Sequence, residues 1–182
     1  MRTDLSSFNN SWYRPGGKIK IITWFFFNAF FVKNKYNPSS LVKKMVLKLF
    51  GAKIDKGVII KPGVSVKYPW KLKIGKNSWI GEDVWIDNLD EVNIGNDVCV
   101  SQGAMLLCGN HDYKKTSFDL MIGPITLEDG VWIGAKSIVT QNVNCQSHSI
   151  LAVQSVASSN LSKFGIYKGN PAVKIRDRKL EK

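Results

Sequence analysis

Histidine occurs only twice in this 182-residue chain and cysteine three times. Two imidazoles cannot build a three-histidine zinc centre, so no metal is expected. Cys99, Cys108 and Cys145 are an odd set without CxxC spacing. They suggest neither a disulfide framework nor a thiolate zinc site, and they suit the reducing cytoplasm. A Gly-rich phosphate loop is missing, and the length leaves no room for a separate nucleotide-binding βαβ domain. The most apolar stretch, Ile19 to Val32, falls short of the about 20 residues that span a bilayer, and no small-residue cleavage site follows it. Acids are scarce in one place: residues 1–56 carry two against eleven Lys or Arg, whereas residues 57–182 carry twelve against fifteen. The net charge of +12 therefore belongs to the N-terminal segment. Its aromatics form an apolar run rather than alternating with the basic residues, which suits burial better than base stacking and argues against a nucleic-acid partner.

What is present is a period of six. Leu127, Ile133, Val139, Cys145, Leu151 and Ala157 follow one another at that spacing, as do Ile54, Ile60 and Val66, then Ile74, Ile80 and Ile86, then Ile94, Val100 and Leu106. Between the last three groups the step is eight residues, a two-residue insertion after every third hexad. Neither a 3.6-residue helix nor a long two-period strand gives this pattern; short strands joined by tight corners and stacked coil upon coil do. Three hexads close a triangular turn, with the aliphatic residue pointing inward onto its counterparts at about 4.8 Å. Glycine follows the inward residue at Gly75, Gly81, Gly95 and Gly134, where it is expected to turn the corner at positive φ. The expected fold is mainly β, a parallel β-helix over residues 54–161 preceded by a helical, aromatic and basic segment over 1–53 and followed by a basic tail over 162–182. Cys145 fills an inward slot as a small core residue.

Two helices are expected before the coil. Trp24, Phe25, Phe26, Phe27, Phe30 and Phe31 lie in the first; Pro38-Ser39-Ser40 starts the second, where Leu41, Met45 and Leu49 recur at i, i+4, i+8 before Gly51. The segment either packs its aromatics on the coil or on a neighbouring subunit, or lies on an anionic inner membrane leaflet. In the second case Lys18, Lys20, Lys33 and Lys35 would flank the first helix, with Lys43, Lys44 and Lys48 on the other.

The hexad register breaks once more, between Leu106 and Leu127, where twenty-one residues replace six. An extruded loop over 107–124 is expected. Binding and catalytic groups concentrate on loops held by a rigid scaffold. His111 and Asp112 lie here behind Gly109-Asn110, whereas His148 falls within a hexad and reads as surface.

The hexads, the Gly-Asn-His-Asp loop, Leu127-Glu128-Asp129-Gly130-Val131-Trp132-Ile133-Gly134-Ala135 and Gly169-Asn170-Pro171-Ala172 together resemble the hexapeptide-repeat acyltransferases. Leu5-Ser6-Ser7-Phe8, Tyr68-Pro69-Trp70 and Trp85-Ile86-Asp87-Asn88 are similar to the colanic-acid-biosynthesis acetyltransferases of that family. The resemblance implies a left-handed β-helix and a homotrimer with active sites between subunits. It further implies direct acetyl transfer from acetyl-CoA to a sugar hydroxyl of a growing glycan, with His111 as general base and Asp112 as a candidate to orient it. Ser101, Trp132, Gly134 and Ala135 would line the pantetheine groove, with Lys174 and Arg176 at the phosphates. Trp85, Asp87 and Asn88 are the candidates for the acceptor side. The last coils depart from the family pattern, since corner glycines are absent around Cys145-Gln146 and Leu151-Ala152. That departure motivates a second reading, a catalytically silent trimeric scaffold or binding subunit of a membrane-associated polysaccharide complex.

Overall fold

The structure, a computed structural model, describes residues 2–181. It is a left-handed β-helix of about six coils with two N-terminal helices. Strands of two or three residues stack into three parallel sheets, one per face of a triangular prism. On the first face Ile54, Ile74, Ile94, Leu127 and Cys145 lie in register; on the second Ile60, Ile80, Val100, Ile133, Leu151 and Tyr167; on the third Val66, Ile86, Leu106, Val139 and Ala157. Every inward slot expected from the period of six is buried, Cys145 among them.

A second inward row lies four positions after the first and is narrower. It takes Val58, Val64, Val84, Val98, Ala104, Val131 and Val143, and serine at Ser78, Ser137, Ser149 and Ser155. Most of these hydroxyls are satisfied by backbone: Ser78 Oγ donates to the Gly95 carbonyl at 2.8 Å and Ser137 Oγ to the Ala152 carbonyl at 2.7 Å.

The corners work differently from the expectation. Gly75, Gly81, Gly95 and Gly134 are absent from the positive-φ positions; at the regular corners those lie three residues after the inward side chain, at Gly57, Gly63, Asn77, Asp83, Asp97, Gly103, Gly130, Lys136, Asn142, His148 and Gln154. Glycine follows the inward residue for another reason. A Cβ on Gly134 would lie 2.6 Å from the Val153 nitrogen, and one on Gly75 2.6 Å from the Gly95 carbonyl carbon, so the next coil's backbone occupies the space. The glycine-poor last coils close by the same rule, with His148 and Gln154 taking the left-handed corner.

Residues 162–177, read above as a tail, complete the coil and turn back on it. Gly165–Gly169 adds in parallel to Ile150–Leu151 on the second face, and Ala172–Asp177 pairs antiparallel with it as an edge strand. Arg178 ties the end down, its Nη1 donating to the Gly130 carbonyl at 3.1 Å.

The two expected helices are α1, Lys18–Phe27, extended by a π turn over Asn28–Val32, and α2, Ser40–Leu49. Ser39 caps α2, its hydroxyl accepting from the Val42 N–H. Trp24 is buried and donates to the Val66 carbonyl at 3.0 Å, and Ser40 Oγ accepts from the Ile60 N–H at 2.9 Å, so the helices close the open end of the first coil.

Candidate active site

The three irregular corners of the sequence stack on one edge of the prism. Lys67-Tyr68 follow Val66, Asp87 to Leu89 follow Ile86, and the loop leaves after Leu106; Asp87 pairs in register with Leu107. The loop is a two-stranded flap, Gly109–His111 antiparallel to Leu120–Ile122, so His111 lies opposite Leu120 at its outer end. The N-terminal arm crosses this edge. Asp4 N donates to the Thr116 carbonyl at 2.8 Å, Tyr13 Oη to the Leu89 carbonyl at 2.6 Å, and Trp70 Nε1 to the Pro15 carbonyl at 2.7 Å. Arm, stacked corners and flap enclose a cavity of about 600 Å³ lined by Asn10, Tyr13, Lys67, Tyr68, Asp87 and His111 among others.

His111 is held on three sides. Its ring stacks on Phe118 at 4.4 Å between centroids and 9° between planes, and Phe8 of the arm packs at 5.8 Å. Nδ1 lies 2.8 Å from the Phe118 carbonyl oxygen. A carbonyl only accepts, so Nδ1 carries a proton, and in the neutral imidazole the lone pair is on Nε2. Phe118 holds a left-handed backbone, φ 53°, an unusual conformation for a bulky residue in the segment that supplies this carbonyl. Asp112 does not meet the ring: its Oδ1 accepts from the Lys114 N–H at 3.1 Å, and its own N–H binds the Asp119 carbonyl.

Of the three acceptor candidates, only Asp87 reaches the cavity. Its carboxylate is buried, with Lys67 Nζ 3.0 Å from Oδ1 at an angle outside hydrogen-bond geometry, so this oxygen has ion-pair but not hydrogen-bond company. Asn88 is fully buried and turned away: its amide donates to the Tyr68 carbonyl at 2.6 Å and accepts from the Tyr68 N–H at 2.9 Å, clamping one corner on the next. Trp85 points outward on the third face and lines a separate groove of about 370 Å³ beside α1. Burial and neighbouring negative groups push the Tyr13 phenol well above its ordinary range, so it remains a donor.

The residues expected at the cofactor lie elsewhere on the prism. Trp132 Nε1 donates to Ser101 Oγ at 2.9 Å, joining two expected neighbours along the second face. Gly134 and Ala135 form the next corner, closely stacked on residues 151–154. Arg176 pairs with Ile166, which pairs with Ile150, which pairs with Trp132, so Arg176 continues the same outward row three strands on. Lys174 is an exposed ion-pair partner of Asp177 at 2.7 Å. Within one chain this row does not share the His111 cavity. Tyr13, Lys67, Tyr68 and the Phe118 carbonyl escaped sequence reasoning; the eight-residue steps were the signal marking the edge where they gather.

No protein-family model matches the chain. Among curated proteins it is 34% identical over 178 residues to "Putative colanic acid biosynthesis acetyltransferase WcaF" of Escherichia coli K12, covering 96% of this chain and 97% of that one. It is 24% identical to the galactoside O-acetyltransferase of the same organism, over 79% of this chain and 73% of that one. Among solved structures, a galactoside acetyltransferase in complex with coenzyme A superposes with a TM-score of 0.76 at 19% identity, covering 87% of this chain and 80% of that one. Coil and full-length similarity agree: this chain belongs to the hexapeptide-repeat acetyltransferase family that includes the colanic acid biosynthesis acetyltransferases.

Proposed function

We propose that this protein is an acetyl-CoA-dependent O-acetyltransferase acting on a sugar hydroxyl during polysaccharide assembly, with His111 as general base. The observation that carries this reading is the Nδ1 contact with the Phe118 carbonyl, which selects the Nδ1–H tautomer of the neutral imidazole and so reserves Nε2 as the proton acceptor, on a histidine that lines one cavity with a buried carboxylate. Nε2 takes the acceptor hydroxyl proton as the oxygen attacks the thioester carbonyl carbon. The carbon–sulfur bond breaks, and the imidazolium returns the proton to the departing thiolate. The acetyl group ends on the sugar, with no covalent enzyme intermediate. Asp87, paired with Lys67, is placed to accept a hydrogen bond from a second hydroxyl of the sugar and fix which oxygen faces Nε2.

The cofactor row fits a thin ligand. Trp132 and Ser101 offer a ring and a hydroxyl, and Arg176 offers a planar fork for a phosphate. Because this row and the His111 cavity lie on different parts of one chain, a homotrimer that sets one subunit's row against its neighbour's flap would complete each site. The full-length similarity to WcaF and a cavity roomy enough for a sugar support the acceptor class.

Calorimetric titration with acetyl-CoA tests the reading first. One site per subunit is expected, weakened about tenfold in Arg176→Ala, a loss of about 1.4 kcal/mol typical of a charge-assisted contact. Coenzyme A thiol release is then followed against a panel of mono- and disaccharides. Saturable binding with release that depends on the sugar supports the assignment; absence of acetyl-CoA binding overturns it in favour of the silent scaffold.

A further inference from the structure

The N-terminal helices bury one face and leave a second, equally apolar face uncovered. On α1 the buried side is led by Trp24. Ile19, Ile22 and Phe26 recur at i, i+3, i+7 on the opposite side, and Phe30 follows in the π turn. Ile19 is 83% exposed and Phe30 66%. The stripe of Leu41, Met45 and Leu49 on α2 also faces away from the coil: Leu49 is 75% exposed, whereas Leu47 supplies the buried contact. The π turn packs against both helices, so these side chains sit on adjoining elements. Scattered surface apolar residues need no explanation; a run of this size on one end of the molecule does.

Charge identifies what covers it. No acid occurs between Asp4 and Asp55, whereas nine Lys or Arg do. Several of these are engaged: Lys43 is buried and donates to the Asn37 carbonyl, Lys44 binds the Val58 carbonyl, Lys35 pairs with Asp83, and Lys20 lies over the Trp70 ring. Lys18, Lys33 and Lys48 are exposed without a protein partner among the described residues, beside the apolar rows. An apolar face rimmed by ammonium groups, on helices too short to cross a bilayer, matches the interfacial plane of an anionic membrane. A second copy of the same face would bring like charges together.

We propose that α1, the π turn and α2 form a docking surface for an anionic phospholipid bilayer. The docking does not rest on the functional reading of His111.

The test is co-sedimentation of the full chain with vesicles of pure phosphatidylcholine and of phosphatidylcholine mixed with phosphatidylglycerol, at low and high salt. Variants are Phe26→Glu with Phe30→Glu, and Lys18→Glu with Lys48→Glu. Circular dichroism and acetyl-CoA titration confirm folding of each, and light scattering gives oligomer mass. The expected result is binding to the anionic vesicles only, reduced by salt. The phenylalanine pair should weaken it at least tenfold, and the lysine pair at least tenfold, from about fivefold per charge. Failure of the wild type to bind anionic vesicles overturns the proposal, as does unchanged binding by folded variants. A fall in oligomer mass in the phenylalanine variant also overturns it, because another copy then covers the face. None of these results depends on turnover, so acetyl transfer to a soluble sugar stands or falls separately.

Discussion

Replacing Gly134 by alanine separates two explanations of the corner glycines. A Cβ there would sit 2.6 Å from the Val153 nitrogen, 2.7 Å from the Ala152 carbonyl carbon and 2.8 Å from the Leu151 carbonyl oxygen. All three are backbone atoms, and they are pinned by Gly134 N donating to the Leu151 carbonyl at 2.7 Å and Gln154 N to the Ala135 carbonyl at 2.9 Å. The coils must part or the ladder must distort, which puts the cost at the upper end of the overpacking range, about 3 kcal/mol. For a chain of this size that lowers Tm by about 6–12 °C. Gly103 supplies the contrast. It has φ 66°, and its Cβ would meet only the flexible Lys136 Cγ at 3.3 Å, so Gly103→Ala pays a left-handed backbone penalty of about 1 kcal/mol and loses about 2–4 °C. Thermal and urea unfolding followed by circular dichroism measures both. A Gly134→Ala transition equal to or above that of Gly103→Ala would refute the close-approach explanation.

Three other outcomes follow from the same structure. Burial pushes the Cys108 and Cys145 thiols up to about 12, so neither is thiolate at pH 8; a disulfide exchange reagent should titrate one thiol, Cys99, in the native protein and all three in denaturant. The hydrogen bond from the Asn144 amide, helped by Ser147, holds the Glu128 carboxyl below its ordinary range against a smaller opposing effect of burial. A lowered folded pKa contributes stability above the unfolded value of about 4.3 and loses it as pH falls through the folded one, so urea midpoints should drop on acidification below about pH 4.5, less steeply in Glu128→Gln. Asp112→Ala should keep turnover within about threefold of wild type, because the Phe118 carbonyl rather than Asp112 meets Nδ1; a loss approaching that of His111→Ala, about 10²-fold or more, would restore Asp112 to the machinery.

The coil was legible because its inward side chains obey a spacing that no other architecture imposes. The eight-residue steps were legible as insertions, but not that they stack on one edge, since that follows only from closing three strands per turn. The glycines were legible as necessary, yet for the wrong reason: a sequence records that Cβ is excluded at Gly134, not whether torsion or a neighbouring coil excludes it. Serine in the second inward row reads as polar surface until Ser78 and Ser137 are seen spending their hydroxyls on the next coil. The arm was the least readable part. Tyr13 and Phe8 lie in no long regular element, and their place beside Leu89 and His111 depends on contacts far apart in sequence. Leu41, Met45 and Leu49 announced a helix correctly but belong to its exposed side.

The central claim is that Nε2 of His111 takes the acceptor proton. The most direct test is the steady-state rate of coenzyme A release by wild type and His111→Asn, with the sugar that gives the fastest release, alongside acetyl-CoA affinity for both. The account predicts a kcat/KM lower by about 10²- to 10⁴-fold with acetyl-CoA affinity unchanged within twofold. Turnover by His111→Asn at the wild-type rate would contradict it.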